Sequence, residues 1–479
     1  MFLVRADHVK RVSFATKLFP RLNSVTGVVS SNQDGISDNQ FDGEVFCGGR
    51  SRNKDLLTYF GFLAESPGSS TFIQLPIFRR SMRKLTDLIE SELESIGAQQ
   101  VLLPTLIPQR LWSESGRLNR QRNALDHVFR FADDPDNPQI LGPTFEESVT
   151  SLVADMPYLN QSDLPVLLYQ TSQKFRYETN PRFGLLRTKE FLMNDLYSFD
   201  ASREDAVKTY DRVTDTYAKI FDRLGIGALY QRIESDPGGI GGEFSHEYQL
   251  IVPSGEDTIS RCNGCGHSFN IEMIQSDNHD SGRCPKCQSA DLEAKQAMEL
   301  GHTFLLSDIY SKPFKAKYMT ADGKPANFQM GCFGLGLSRI IGAVLDLYST
   351  DVSTEERIRM RWPNQVEPFD IAIVAPAQRS KQYHKGSTQF IERLVNNILQ
   401  SRTKTDIYIE DRDKESIVRR LINLKTLGFP HIIVVGSKFL NDPPEVEFLT
   451  MNQNKDYEQH WFTEEQVYSF LTKFYEQRM

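Results

Sequence analysis

No apolar run in this chain of 479 residues is long enough to span a bilayer, which excludes a helical membrane protein and leaves no membrane partner expected. Nor is there an excess of basic charge. The 55 Lys and Arg stand against 63 Asp and Glu, and a net charge of −8 argues against a general nucleic-acid coat protein. An RNA held through local basic patches remains compatible with that balance. The glycine spacings of the Walker and dinucleotide phosphate loops are missing as well. Cysteine is sparse, six residues in all, so its placement carries information.

The length gives room for two to three domains with a large core. Residues 1–32 differ in kind from the rest. Arg5, Lys10, Arg11, Lys17 and Arg21 face a single acid, Asp7, among Ser, Val and Phe. This is the composition of a mitochondrial transit peptide, with a merely disordered basic terminus as the other reading. Residues 33 to 53 read as a polar spacer.

Four of the cysteines form two pairs, Cys262 with Cys265 and Cys284 with Cys287, separated by eighteen residues. Thiolates so spaced can close a tetrahedral zinc site on two turns supplied by Gly264, Gly266 and Pro285. Disulfides are the competing reading, and His267 or His279 could replace one cysteine. The metal would be structural, because no open catalytic position is suggested.

Between Gln173 and Asp200 the chain reads as strand, basic loop, strand. Alternation sets Phe175 and Tyr177 on one face against Arg176 and Glu178 on the other. The loop carries Arg182, Arg187 and Lys189 around Pro181 and Gly184, and Phe191, Met193, Tyr197 and Phe199 share a face on the return. Arginines above an aromatic, with a glutamate beside them, suit a nucleoside triphosphate. An ordinary solvated hairpin would look the same locally.

Helical spacing predicts a helix from Pro76 to Ile96, stopped by Gly97 before a strand over 101–108. Leu118 to His127 reads as a loop. A helix is expected over Glu146 to Asp155 with Thr144 as N-cap and Glu147 at the capping-box position, and another over Glu204 to Leu224. The segment MGCFGLGLSR reads as a strand entering a helix, with Arg339 in the first turn. After a charged linker (351–368), apolar strands in FDIAIVAP, TDIYIED and HIIVVG alternate with helices near 382–401 and 413–427. EVEFLT is expected at the sheet edge, and a helix closes this α/β unit, 369–479. Pattern alone would also allow a small nucleotide-binding domain there.

Together these pieces resemble the class II aminoacyl-tRNA synthetases, most closely the prolyl enzymes of bacterial and mitochondrial type. GAQQVLLPTL is similar to the first motif of that class, which builds a homodimer. LWSESGRL at 111–118 and GPTFEE resemble prolyl-specific segments. FRYE through FLMNDLYSF matches the second motif, and GCFGLGLSR the third. The resemblance implies an α+β catalytic domain (54–350) on an antiparallel sheet, a zinc-ribbon-like insertion (258–292) within it, and an α/β anticodon-binding domain. It implies a proline–tRNA ligase of the mitochondrial matrix, with ATP, magnesium and structural zinc as cofactors and proline and tRNA(Pro) as partners.

Carried over by residue, Arg176 would hold the α-phosphate, Glu178 the adenine amine and Arg187 the γ-phosphate. Phe191 and Arg339 would sandwich the base, which makes Arg176 and Arg339 the catalytic pair. Glu299 would bind magnesium, with His302 near the adenylate. Thr144 and Glu146 would meet the proline nitrogen, within walls from Met193, Phe304 and Cys332. Asp411, Arg412 and Lys425, with Arg419 and Arg420, would face the anticodon, a solvated helix face being the other reading for the last two. Phe145 stands where a histidine is usual and Ser307 where a glycine is usual. The bacterial editing insertion is missing, which implies no hydrolysis of Ala-tRNA in cis. A threonyl enzyme, which would need a zinc inside its pocket, is disfavoured because the four paired cysteines fall in a separate knob. A non-catalytic relative could have lost Arg176, Glu178 or Arg339, and all three are present.

Overall fold

The structure is a computed structural model. It describes residues 57–476 apart from 59–60, 70, 121–123, 132–135, 158, 180–183, 254, 271–281, 350–359, 382, 401–404, 413 and 453–455. The basic N-terminal segment, Pro181, Arg182, His279 and the first part of the linker lie outside these residues. Among the described residues no helix is long and apolar enough to cross a membrane.

Helix α1 (Pro76–Ser95) starts on a proline, whose missing N–H costs nothing in the first turn. Its buried side chains, Phe78, Met82, Leu85, Ile89 and Leu93, recur every three or four residues. Gly97, at φ 86°, ends it in the left-handed region. Of the expected strand over 101–108 only Leu106–Pro108 forms, with a short strand just ahead of it. Gln99–Gln100 pairs with the main sheet, and Leu106–Pro108 joins a separate three-stranded sheet with Arg130–Phe131 and Gln139–Leu141. Pro104 between them has no N–H to continue a ladder. The segment read as a loop, 118–127, carries short helical turns at Arg117–Arg120 and Ala124–His127.

Helix α2 (Glu146–Asp155) follows, then strands β1 (Val166–Phe175) and β2 (Glu190–Asp200) and helix α3 (Arg203–Arg223). Strands β3 (Tyr230–Ser235), β4 (Phe244–Ile251), β5 (Asp257–Cys262), β6 (Ser268–Asn270), β7 (Leu292–Ser307) and β8 (Gln329–Gly336) lead into helix α4 (Leu337–Ser349). They form a nine-stranded sheet in the order β4-β3-β6-β5-β7-β8-β2-β1 and Gln99–Gln100, with β4 also pairing β7. The long pairings are antiparallel. One face packs on α1, α3 and α4 through Leu85, Tyr217, Phe333 and Ile341. The other carries α2 and a second core around Phe145, Tyr197, Phe304 and Cys332. Between those elements, on this second face, the sheet is left open to a cavity.

Residues 369–476 form the α/β unit. Strands β9 (Ile371–Val374), β10 (Ile407–Glu410) and β11 (His431–Val434) are parallel, and β12 (Glu445–Met451) and β13 (Tyr457–Thr463) run antiparallel beyond them. The helices are α5 (Ser387–Gln400), α6 (Ile417–Thr426) and α7 (Glu464–Glu476). EVEFLT is therefore interior, because YEQHWFT, too polar to read as a strand, covers it. Met360, Trp362 and Val366 are buried in the core with α1, α3 and α4, so the C-terminal part of the expected linker is packed structure. Arg80 and Lys84 of α1 reach Asp406, tying the two units together.

Candidate functional site

The hairpin of β1 and β2 supplies the floor. Its register pairs Gln170 with Asp195 and Lys174 with Phe191, and β8 and β7 continue the rows so that Cys332 lies between Tyr197 and Phe304. Gly334 and Gly336 lie on the same cavity face as Cys332. A Cβ on Gly334 would meet nothing nearer than the Met193 sulfur at 3.6 Å, so glycine leaves this part of the floor clear. The expected strand does not run on to Glu178. It ends at Phe175, since the Arg176 amide makes the last bond of the ladder, to Lys189 O (3.0 Å), and the Tyr177 amide turns away to His127 O (2.9 Å). A bulge in the β4–β7 register skips Leu300 and brings Glu299 and His302 to one side, with Nδ1 3.3 Å from the carboxylate.

Above the floor is a cavity of about 470 Å³, and it is lined by all twelve residues carried over for ATP and proline. Its two ends differ in charge. At one end Arg176, Arg187 and Arg339 converge with Glu178 and Glu299. Arg339 donates to Glu299 Oε2 (2.8 Å) and to Leu186 O (3.1 Å). Arg187 meets Glu178 at 2.9 Å and Glu256 at 3.4 Å. The guanidinium over the Phe191 ring is that of Arg176, at 5.1 Å. Burial and the neighbouring Arg339 charge push the Arg176 guanidinium down, against the pull of Glu299 and Glu178. Burial would raise Glu299, but the His302 hydrogen bond and the charges of Arg339 and Arg176 hold it at about 2.

At the other end Met193, Phe304 and Cys332 form an apolar wall beside the Glu146 carboxylate. Glu146 is fully buried. It accepts from Thr144 Oγ1 at 2.6 Å, Cys332 Sγ at 3.2 Å and Arg117 Nη1 at 3.3 Å. Thr144 is thus no N-cap, and Glu147 does not close a capping box. Phe145 occupies the cap position, and Glu147 turns to Ser115 and Arg117. His302 stacks on Phe304 at 4.0 Å. Burial pushes the Cys332 thiol well up, so it faces Glu146 as a neutral donor. Phe145, in place of the usual histidine, is buried in the core on the cavity side of the sheet and outside the cavity lining. Ser307, in place of glycine, takes a positive φ of 54° at a bulge and bonds Glu243 through its hydroxyl.

Sequence reasoning did not single out Trp112, Arg117 or Asp195, which also line the cavity. Arg117 lies 4.4 Å from the Trp112 ring and within 3.4 Å of Glu146 and Glu147. The signal for Trp112 and Arg117 lies in LWSESGRL, which sets an aromatic and an arginine five positions apart. The glycine-rich segment from Asp236 to Ile240 crosses the same cavity, anchored by the Tyr310 hydroxyl on Ile240 O at 2.8 Å.

The four paired cysteines come together, with all sulfurs within 4.8 Å of one another. Cys262 lies 3.4 Å from Cys287, and Cys265 lies 3.6 Å from Cys284. Thiolates ~2.3 Å from a zinc ion at tetrahedral angles are about 3.8 Å apart, so the donor set fits. His267 is stacked on Phe269 and is outside this cluster.

In the C-terminal unit Asp411 is exposed and Lys425 lies 5.2 Å from the Tyr457 ring. The other cations expected at the anticodon are engaged internally. Arg412 grips Glu410 with two bonds, of 2.8 and 2.6 Å. Arg420 is 2% exposed and donates to Ala375 O and Glu410 O, closing the ends of β9 and β10. Arg419 pairs with Glu415 at 3.2 Å.

Comparison with known proteins bears on this geometry. The family "tRNA synthetase class II core domain (G, H, P, S and T)" matches residues 129–348. A Rattus norvegicus relative, a probable mitochondrial proline–tRNA ligase, is 37% identical over 412 residues, 86% of this chain and 82% of its own. A Schizosaccharomyces pombe relative of the same description is 34% identical, covering 80% of this chain and 85% of its own. Among solved structures, a Giardia lamblia prolyl-tRNA synthetase in complex with prolyl-adenylate superposes with a TM-score of 0.67 at 18% identity. It covers 87% of this chain and 75% of its own, a likeness of fold.

Proposed function

This chain belongs to the class II proline–tRNA ligases, and we propose that it charges tRNA(Pro) in the mitochondrial matrix through an adenylate made in the cavity above. One observation carries the reading: a single cavity with a buried carboxylate in an apolar wall at one end and three guanidiniums at the other. A zwitterion with a ring nitrogen fits the first end, a triphosphate the second.

In this reading Glu146 and Thr144 hold the proline nitrogen, while Met193, Phe304 and Cys332 enclose the ring. Phe191 and Arg339 take the two faces of adenine, Glu178 accepts from its amine, and Arg187 holds the γ-phosphate. Arg176 stands at the α-phosphate. The proline carboxylate attacks the α-phosphorus and pyrophosphate leaves; the 3′ end of the tRNA then takes the prolyl group and AMP departs. A carboxylate is already a nucleophile at neutral pH, so no general base is needed, and the rate comes from positioning and electrostatics. Magnesium would screen the triphosphate charge, with Glu299 as its protein ligand. The test is ATP–pyrophosphate exchange across a panel of amino acids. Exchange dependent on proline is expected, and exchange with threonine alone, or with none, would refute the assignment.

We place structural zinc on Cys262, Cys265, Cys284 and Cys287. The metal would pin β5 and the start of β7, where Cys262 pairs with Leu292. About one zinc per chain is expected by elemental analysis, and chelation should lower Tm. Active protein free of zinc and unmoved by chelators would remove the metal from the reading.

Residues 369–479 would carry the anticodon, with Asp411 and Lys425 as candidate contacts. The apolar side chains Leu102 and Leu106, 80% and 51% exposed, would be covered in a homodimer. Light scattering at micromolar concentration checks the dimer, and sedimentation as a monomer would exclude it.

A further inference from the structure

Under the amino-acid end of the cavity lies a buried ion pair to which the reaction above gives no task. Lys174 is 0% exposed, with its Nζ 2.5 Å from Asp195 Oδ1. Such a pair is weak evidence for stability, because both ions lose their hydration in forming it. Its neighbours give it another use. Asp195 Oδ2 accepts from the Tyr197 hydroxyl at 2.9 Å and from Gln170 Nε2 at 3.1 Å. A hydroxyl has one proton, and here an anion takes it. The Tyr197 oxygen is left to accept, and it does so from the Phe145 N–H at 3.0 Å. Phe145 is also met from below by Lys174, 4.6 Å from the ring centroid. Both members of the ion pair therefore act on one residue, which stands between Thr144 and Glu146 and opens helix α2 without a side-chain cap.

We propose that Asp195 and Tyr197 are positioning residues for the amino-acid pocket. Asp195 orients the Tyr197 hydroxyl, and the hydroxyl fixes the Phe145 amide so that Thr144 and Glu146 converge on the substrate nitrogen. The inference rests on the reading of Thr144 and Glu146 as proline contacts. The chain of donors has one direction, from Phe145 to Tyr197 to Asp195, only while Asp195 can do nothing but accept. An asparagine there could donate to the tyrosine oxygen and compete with the amide.

The test is the exchange reaction of Tyr197→Phe, with KM for proline, KM for ATP and kcat measured separately. KM for proline should rise about tenfold while KM for ATP stays within twofold. The double variant Lys174→Met with Asp195→Asn removes both buried charges at nearly constant shape, and the same proline-selective rise is expected from it. A purely structural network would lower Tm without separating the two KM values, and that result would overturn the proposal. So would an unchanged KM for proline in Tyr197→Phe when the wild type is active. A wild type without proline-dependent exchange would overturn the functional reading and this one with it.

Discussion

Arg176→Ala is expected to lower kcat/KM for proline-dependent exchange by about 100- to 1000-fold, the scale of losing a fixed donor at a developing anion. The residue is held from both sides. Its amide bonds Lys189 O, and its guanidinium lies over the Phe191 ring, so it is fixed before any phosphate arrives. Burial and Arg339 push it below its ordinary basicity, so the folded protein holds this cation at a cost that an anion would relieve. An arginine still stays charged at neutral pH. The cost has a second consequence. Removing the cation also removes its repulsion with Arg339, so Tm should hold or rise while activity collapses. Arg176→Lys should recover little, because a point charge cannot give two parallel bonds. A Tm lower by many degrees, or exchange within tenfold of wild type, would count against the α-phosphate role.

What could be read from the sequence were the features whose cause is local. Helix α1 follows from apolar residues every three or four positions, and β2 from Phe191, Met193, Tyr197 and Phe199 sharing one face. The two cysteine pairs carry their own geometry. Features that failed to appear depend on bonds to distant chain. The strand stops short of Glu178 because, after the Arg176 bond to Lys189, the Tyr177 amide bonds His127 and the Glu178 amide turns back to Arg176 O. Thr144 has the residue type of a cap, whose oxygen would accept from a backbone N–H, yet its hydroxyl is turned to donate to the Glu146 carboxylate. Glu299 and His302 share a side only through a bulge at Leu300, which no periodicity marks. Arg412 and Arg420 read as exposed cations because charged residues usually are. The carboxylate of Glu410 and the strand-end carbonyls that bury them belong to a packed corner. The cavity residues are legible through motif resemblance, whereas Arg117 is an ordinary cation in LWSESGRL until the fold brings Glu146 and Glu147 to it.

Arg117 also sets the terms of the remaining prediction, Glu146→Gln, which is expected to raise KM for proline by about 100-fold, the scale of a lost buried charge pair. One guanidinium here serves two buried carboxylates, Glu146 and Glu147. Burial works against the Arg117 charge, but Glu147, Tyr310 and Glu146 together hold it more basic than usual. Burial pushes Glu147 up, Arg117 draws it down, and Glu146 adds to the rise. One guanidinium between two buried carboxylates leaves a place for a second cation, the role that the proposed reading gives to the proline ammonium. Glutamine keeps the shape and can still accept from Thr144, but it removes the excess negative charge. The variant should accordingly be as stable as the wild type or more so, with KM for ATP little changed. Activity and stability would then move in opposite directions at one residue, as expected where a site is held in readiness for a ligand. Measurement of both KM values alongside a thermal melt decides it. An unchanged KM for proline, or a large fall in Tm, would mean that Glu146 is a structural acid and that the counter-charge lies elsewhere in the cavity.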